Sequence, residues 1–196
     1  MSENRKTQII KEATSLFSRF GYDKVTIKQL ADACGITEPA LYRYFSSKEA
    51  IYDAVLDSLN DVMDYQGLFE KLNNSDNLEE ILPGIARHIL SFFKEHRELY
   101  RLLLYSTLRE HRKAREVFKA IRTPYVEYLT KKLNELQKKG LIKKKNNEIT
   151  ARCFIGMVFD CALNATIWKG FMGKSYTADK VIANNVPIFI DGLNED

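Results

Sequence analysis

Cysteine, proline, glycine and tryptophan are scarce in this chain, at three, four, nine and one of its 196 residues. Cys34, Cys153 and Cys161 are too few for a disulfide framework and lack paired metal-ligand spacing. They read as reduced core thiols in apolar helices, with a redox sensor as the alternative. His88, His96 and His111 are scattered, and no His-Glu-x-x-His, paired-Cys or Gly-rich phosphate motif exists. The usual grounds for catalysis, a metal centre or a cofactor are therefore missing, and none of these is expected. No run reaches the roughly 18 apolar residues that span a bilayer. The start, MSENRKTQ, has no apolar signal-peptide core, so a cytoplasmic protein without a membrane partner is expected. Strand-type alternation does not stand out in the long second part, whereas helical stripes recur.

What is present is an ordinary globular composition, 45% hydrophobic with a net charge of +4, sufficient for a real core. The most informative stretch is Thr26 to Phe45, TIKQLADACGITEPALYRYF. Thr26 followed by Gln29 matches a capping box and predicts a helix starting at Ile27. Leu30, Ala31 and Cys34 share one face of it, and Gly35 stands where a helix end needs the left-handed conformation. Thr37 caps the next helix, and Pro39 falls in its first turn, where a missing amide hydrogen costs nothing. Leu41 and Phe45 lie on one side of that second helix, and Pro39, Ala40 and Arg43 on the other.

Two short helices joined through a glycine have the layout of a helix-turn-helix, although a hairpin inside a plain bundle shares that spacing. The flanks narrow the choice. Ile9, Ile10, Ala13, Leu16, Phe17 and Phe20 form a helical stripe over Gln8 to Phe20 that stops at Gly21. Downstream, Ser46-Ser47-Lys48-Glu49 offers a second capping box opening a helix from Lys48 to about Met63.

In this order, the Phe-x-x-x-Gly-Tyr helix end, the Thr cap, Gly-Ile-Thr, Leu-Tyr-x-Tyr-Phe and Ser-Lys-Glu resemble the N-terminal domain of the TetR family of transcriptional regulators, over roughly residues 5 to 60. Beyond that, only helix pattern and length are similar. The resemblance implies DNA contacts from Thr26, Lys28, Thr37, Pro39, Ala40, Tyr42, Arg43, Tyr44 and Lys48. Lys28 and Lys48 suit phosphate neutralisation. Arg43 suits bidentate pairing with guanine, with a phosphate or solvent contact as the alternative. Glu38 departs from the family's usual basic or small residue; it can accept from a cytosine amine, cap the helix or repel phosphate. Residues 1–48 hold eight Lys and Arg against five Asp and Glu, most of the chain's positive balance. One such reader is a modest binder, whereas two held one helical turn apart, about 34–36 Å, read a near-palindrome.

The fold expected is all-α, about nine helices: a three-helix helix-turn-helix domain over residues 1–47 and a larger ligand-binding and dimerisation bundle over 48–196. Helices are predicted from Ser75 or Asn77 through Phe93 with Pro83 near the first turn, from Glu98 to Leu108, and from Glu110 to Gly140 with a kink at Pro124. Lys143 to Lys145 form a solvated connector. The helix from Asn147 to about Phe171 is apolar almost all round, which predicts cover on both sides, with Gly156, Ala162 and Ala165 giving low relief. A last helix runs from Thr177 to Leu193. By resemblance, these final two helices form a homodimer interface.

The family also implies a small-molecule effector pocket among the middle helices. Phe92, Phe93, Tyr100, Leu103, Leu104, Phe118, Tyr125, Phe154, Met157 and Trp168 are candidates for its lining, although aromatics at helical spacing are more often plain core. Asp160, a carboxylate amid apolar residues, needs a partner such as Arg87 or His88, solvent, an interface, or an amine ligand. The expectation is a repressor that binds a palindromic duplex operator and is released by an effector. An architectural DNA-binding protein and a helical adaptor are the alternatives.

Overall fold

The computed structural model describes residues 2–168 and 176–194. Among them it is all-helical, with ten segments: α1 (Ser2–Phe20), α2 (Ile27–Ala33), α3 (Glu38–Tyr42), α4 (Lys48–Asp61), α5 (Tyr65–Asn73), α6 (Leu78–Glu95), α7 (Arg97–Leu108), α8 (Arg112–Lys138), α9 (Asn147–Thr166) and α10 (Ala178–Leu193). The chain divides into two compact units, one of Met1–Val62 and Glu98–Ile121, the other of Met63–Arg97 and Arg122–Asp196.

In the first unit α1 packs on α2 and α4. Its stripe turns inward as expected, with Ile9, Ala13 and Phe17 at 1% exposure or less. Gly21, at φ +81°, ends the helix in the left-handed region where a side chain is strained. Leu30, Leu41, Ile51, Val55, Leu56 and Leu59 complete the core, each fully buried aliphatic side chain contributing about 1.5–3 kcal/mol. Helix α4 starts where predicted, but its cap is Ser47, which accepts from Ala50 N at 3.0 Å. Because the cap falls at Ser47, the third helical position is Ala50, so the Ser46–Glu49 capping box does not form. Helix α7 and the first turns of α8 belong to this unit, burying Tyr100, Leu103, Ala114 and Val117. At the corner between them Glu110 adopts φ 61°, an uncommon conformation for a side-chain-bearing residue.

In the second unit α6 is central, packing against α5, α9 and α10. Asn77 caps it, and Pro83 lies beyond the first turn, inside the helix. Helix α5 was not predicted from the sequence. Asp64 starts it by accepting from Gly67 N at 2.8 Å, and Leu72 packs over Gly84 of α6, where an added Cβ would lie 3.1 Å from Leu72.

Helix α9 shows one covered face and one open one in the single chain. Ala151, Phe154, Ile155, Val158, Phe159 and Ala162 are buried, whereas Ile149 is 58% exposed and Cys153 and Asp160 lie outside. Cys153 is therefore not the core thiol expected, because it falls on the open side; Cys34 is buried as expected. The α-helix ends at Thr166, short of the predicted end near Phe171, which lies outside the described residues. By length and composition α9 can cross a membrane, contrary to the expectation that no segment would qualify. One face of it packs on α6 and α10, and Glu148, Arg152 and Asp160 are exposed along it.

Candidate nucleic-acid interface

The reader is built from local hydrogen bonds. Thr26 Oγ1 accepts from Gln29 N at 3.2 Å while Thr26 N donates to Gln29 Oε1 at 2.9 Å, closing the capping box that starts α2. At its other end Ile36 N donates to Ala31 O and Gly35 N to Asp32 O, both at 3.0 Å, with Gly35 at φ 65°. This is a Schellman ending, which satisfies carbonyls the helix leaves unpaired. Thr37 then caps α3 by accepting from Ala40 N at 3.3 Å, with Pro39 in the first turn. Leu41, at 0% exposure, anchors this five-residue helix to the core.

The anchoring turns the rest of α3 outward. Thr37, Glu38, Pro39, Tyr42 and Arg43 are exposed, Ala40 and Tyr44 are half-buried, and Thr26 and Lys28 are exposed at the start of α2. Tyr42 is 50% exposed. Glu38 lies in the first turn, where its charge meets the positive end of the helix. Lys48 is placed differently. Its Nζ donates to the carbonyls of Tyr22 and Val25, each at 3.0 Å, and sits 4.3 Å from the centroid of the Tyr22 ring. Phe45, placed by the spacing on the same side as Leu41, is half-buried.

Comparison with known proteins carries this geometry further. Residues 9–55 match the model for bacterial regulatory proteins of the tetR family, and residues 82–183 match the tetracyclin repressor-like C-terminal domain, more than half of the chain. The chain belongs to the TetR family. Among its relatives, the HTH-type transcriptional regulator YhgD of Bacillus subtilis (strain 168) is 26% identical over 164 residues, 82% of this chain and 85% of that protein. The chain spans about half or less of the other curated relatives' lengths. A transcriptional regulator from Saccharomonospora viridis, solved with choline, has the same fold, at TM-score 0.75 and 19% identity over 100% of both chains. So does AibR, solved with isovaleryl coenzyme A and operator DNA, at TM-score 0.65 and 21% identity over 94% of this chain and 97% of that one. The protein is thus a TetR-family transcriptional regulator, and the family is one of DNA-binding regulators, not enzymes.

Within the first unit of this TetR-family protein, α7 and the start of α8 grip the reader through contacts that no local motif announces. Arg101 Nη2 donates to Ser18 O at 2.7 Å, Arg109 pairs with Asp23, and Lys113 Nζ lies 3.0 Å from Asp57. The Tyr52 hydroxyl makes a short hydrogen bond with Ser106, and His111 Nε2 lies 3.9 Å from Asp53, whose carboxyl is pushed up mainly by burial. Tyr22, Asp23, Tyr52, Tyr105, Arg109 and His111 are among the residues around a cavity of about 190 Å³ there.

The candidate effector residues are divided between the two units. Tyr100, Leu103, Leu104 and Phe118 belong to the first unit, and Phe92, Phe93, Tyr125, Phe154, Met157, Asp160 and Trp168 to the second. In the second unit Phe93 and Tyr125 meet around Phe159, at centroid distances of 5.3 and 6.2 Å. Phe154 instead packs edge-on to Phe189 at 5.1 Å, Met157 accepts from Asn185, and Trp168 is 41% exposed. Asp160 is solvent-facing and accepts from Asn164 at 2.9 Å, while His88 bonds the Tyr125 hydroxyl at 2.7 Å. Of the alternatives open for Asp160, the single chain shows the solvent-facing one, because the register of α9 puts that carboxylate on the open face.

Sequence reasoning also missed Arg122. Its guanidinium lies 4.6 Å from the centroid of the buried Phe159 ring, near Gly156, where an added Cβ would make an ordinary contact with it at 4.0 Å.

Proposed function

We propose that this regulator is a cytoplasmic repressor that binds a near-palindromic operator as a homodimer and is released by a small-molecule effector. The observation that carries the reading is the outward face of α3, held by Leu41 and free of packing over Thr37, Pro39, Tyr42 and Arg43. Residues 1–47 act as the reader, and 48–196 supply dimerisation and effector binding. Arg43 reads a base edge; Thr26, Lys28, Thr37, Pro39, Ala40, Tyr42 and Tyr44 set the register on the backbone; Glu38 serves the start of the helix. Lys48 acts by fixing the loop ahead of Thr26.

The open faces of α9 and α10 support the dimer. Ile149 and Ile188, 58% and 64% exposed, are large apolar side chains that a second copy would cover. Two readers one turn apart multiply a modest affinity. Release follows population shift, since an effector favouring a spacing that DNA rejects pulls the dimer away. A hundredfold release needs a preference of about 2.7 kcal/mol. The reading is also supported by neighbours of the same fold that were solved with small molecules, one of them with operator DNA as well.

The test is binding of the purified protein to the DNA upstream of its own gene, in moderate salt, with and without fractions of cellular small molecules. Saturable, selective binding abolished by one fraction is expected. Selective binding that no fraction alters would instead make it constitutive or architectural.

A further inference from the structure

Within the first unit, the corner between α7 and α8 meets α4 at two ionisable side chains. His111 Nε2 lies 3.9 Å from Asp53 Oδ1, beyond hydrogen-bond reach. Among the described residues neither Asp53 Oδ1 nor His111 Nδ1, both buried, has a hydrogen-bond partner. The backbone of the corner is fixed, with His111 N donating to Ser106 O and Glu110 N to Thr107 O, both at 3.0 Å. On the facing side Tyr52, next to Asp53 on α4, bonds Ser106 and packs edge-on to the His111 ring at 5.3 Å. The imidazole also borders the cavity of about 190 Å³, which leaves the side chain room to turn. The other charges around the pair are matched elsewhere. Arg109 pairs with Asp23 of the loop after α1, Lys113 with Asp57 of α4, Arg112 with Glu116, and Arg115 with Glu110. Lys48 is held by the carbonyls of Tyr22 and Val25, and the phenols of Tyr22 and Tyr105 border the same cavity. Burial pushes the Asp53 carboxyl up most; His111 pulls it down, Glu49 on the same helix raises it, and Lys113 and Arg112 lower it.

We infer that His111 and Asp53 form a proton-operated latch, in which the charged imidazole closes onto the carboxylate and fastens α4 to the α7–α8 corner. Helix α4 is the element on which α1 of the reader packs. An imidazole gains charge near neutral pH and then donates from both ring nitrogens. A turn of the side chain brings it to the Asp53 carboxylate and converts the open 3.9 Å approach into a charge-assisted hydrogen bond. The closed form is favoured at low pH and lost as pH rises through the titration of the imidazole; it is lost again only where the carboxyl itself takes up a proton. A reader fastened in this way has less freedom to lose on DNA, so acidification tightens operator binding. The inference rests on the DNA-reading role proposed for residues 1–47.

The experiment takes two readings on the full-length protein. The first needs no DNA: a double-mutant cycle of Asp53→Asn and His111→Phe, followed by urea unfolding at about pH 5.5 and about pH 8. The coupling cancels other titrating groups, including the buried His88, whose effect on stability has the opposite sign. A favourable coupling of about twofold to fivefold in the unfolding equilibrium is expected at the lower pH and none at the higher. A second cycle with His111→Gln should show the same gain in coupling on acidification, which separates the charge from the ring packing on Tyr52. The second reading is anisotropy of a labelled duplex selected by the protein, at the same two pH values. The unaltered protein should tighten on acidification by at least about twofold more than either single variant. No coupling at the lower pH, equal coupling at both, or the same pH dependence of DNA affinity in all the proteins would overturn the latch. Coupling confined to low pH in a protein that selects no duplex would uphold the latch and strike the DNA-reading role instead.

Discussion

Lys48 Nζ donates to the carbonyl of Val25 at 3.0 Å, the residue immediately ahead of the Thr26 cap that starts α2. Together with its bond to the Tyr22 carbonyl, this ties the first turn of α4 to the loop that aims the helix-turn-helix. An ammonium used in this way positions the reader. Lys48→Met is expected to cost about 1–2 kcal/mol of stability and to weaken binding to every duplex. The slope of log affinity against log salt should change by well under the roughly 0.9 expected for one lost phosphate contact. A full-sized slope change with stability intact would show that Lys48 works on phosphate.

Tyr42 at the end of α3 and its C-cap Arg43 are both exposed, and the roles proposed for them differ. Arg43→Ala should cost about 1–3 kcal/mol at the preferred operator and relax the preference at one base pair. Tyr42→Phe should weaken preferred and scrambled duplexes alike. Competition with a set of single-base operator variants decides it, and a uniform loss for Arg43→Ala would rule out base reading.

The proposed dimer would be held by side chains that the single chain leaves in solvent. Ile188→Glu places a charge on the open face of α10 without touching the core. It should yield a folded monomer at concentrations where the unaltered protein is a dimer, with operator affinity down about tenfold or more. Sedimentation velocity and circular dichroism check the two halves of that statement. A variant that remains dimeric would place the interface elsewhere.

Burial holds His88 below its ordinary value of 6.5. The folded protein therefore binds fewer protons at this site than the unfolded chain, and the site favours folding above that value. This contribution declines as pH falls through the ordinary value toward the depressed one. Urea unfolding between about pH 7.5 and about pH 5.5 should show a loss that His88→Gln reduces. The same pH dependence in both proteins would remove His88 as its source.

The reader was legible in the sequence because its signals are local. The Thr26–Gln29 box, Gly35, the Thr37 cap and the Leu41 anchor each act within a few residues, and each appears where the pattern placed it. The second helix of the pair exposes Pro39 and Arg43 as the spacing indicated, while Ala40 is half-buried. The remainder was less legible because it depends on long-range packing. Helix α5 is a short segment with Gly67 in its interior, supported by Leu72 against Gly84 and by Lys132 on the Asn73 carbonyl. The direction of Asp160 follows from the register of α9 against its neighbours, which periodicity in a nearly all-apolar helix does not reveal. The ties from Arg101, Arg109 and Lys113 to the reader span more than fifty residues of chain, and local motifs do not encode them.

The most direct test of the central claim is selection of duplexes from a random library by the full-length protein in moderate salt, followed by anisotropy on the enriched sequence. The account predicts enrichment of a near-palindrome with half-sites about one helical turn apart, bound saturably by a dimer and lost when either half-site is scrambled. No enriched sequence, even at low salt, would contradict it.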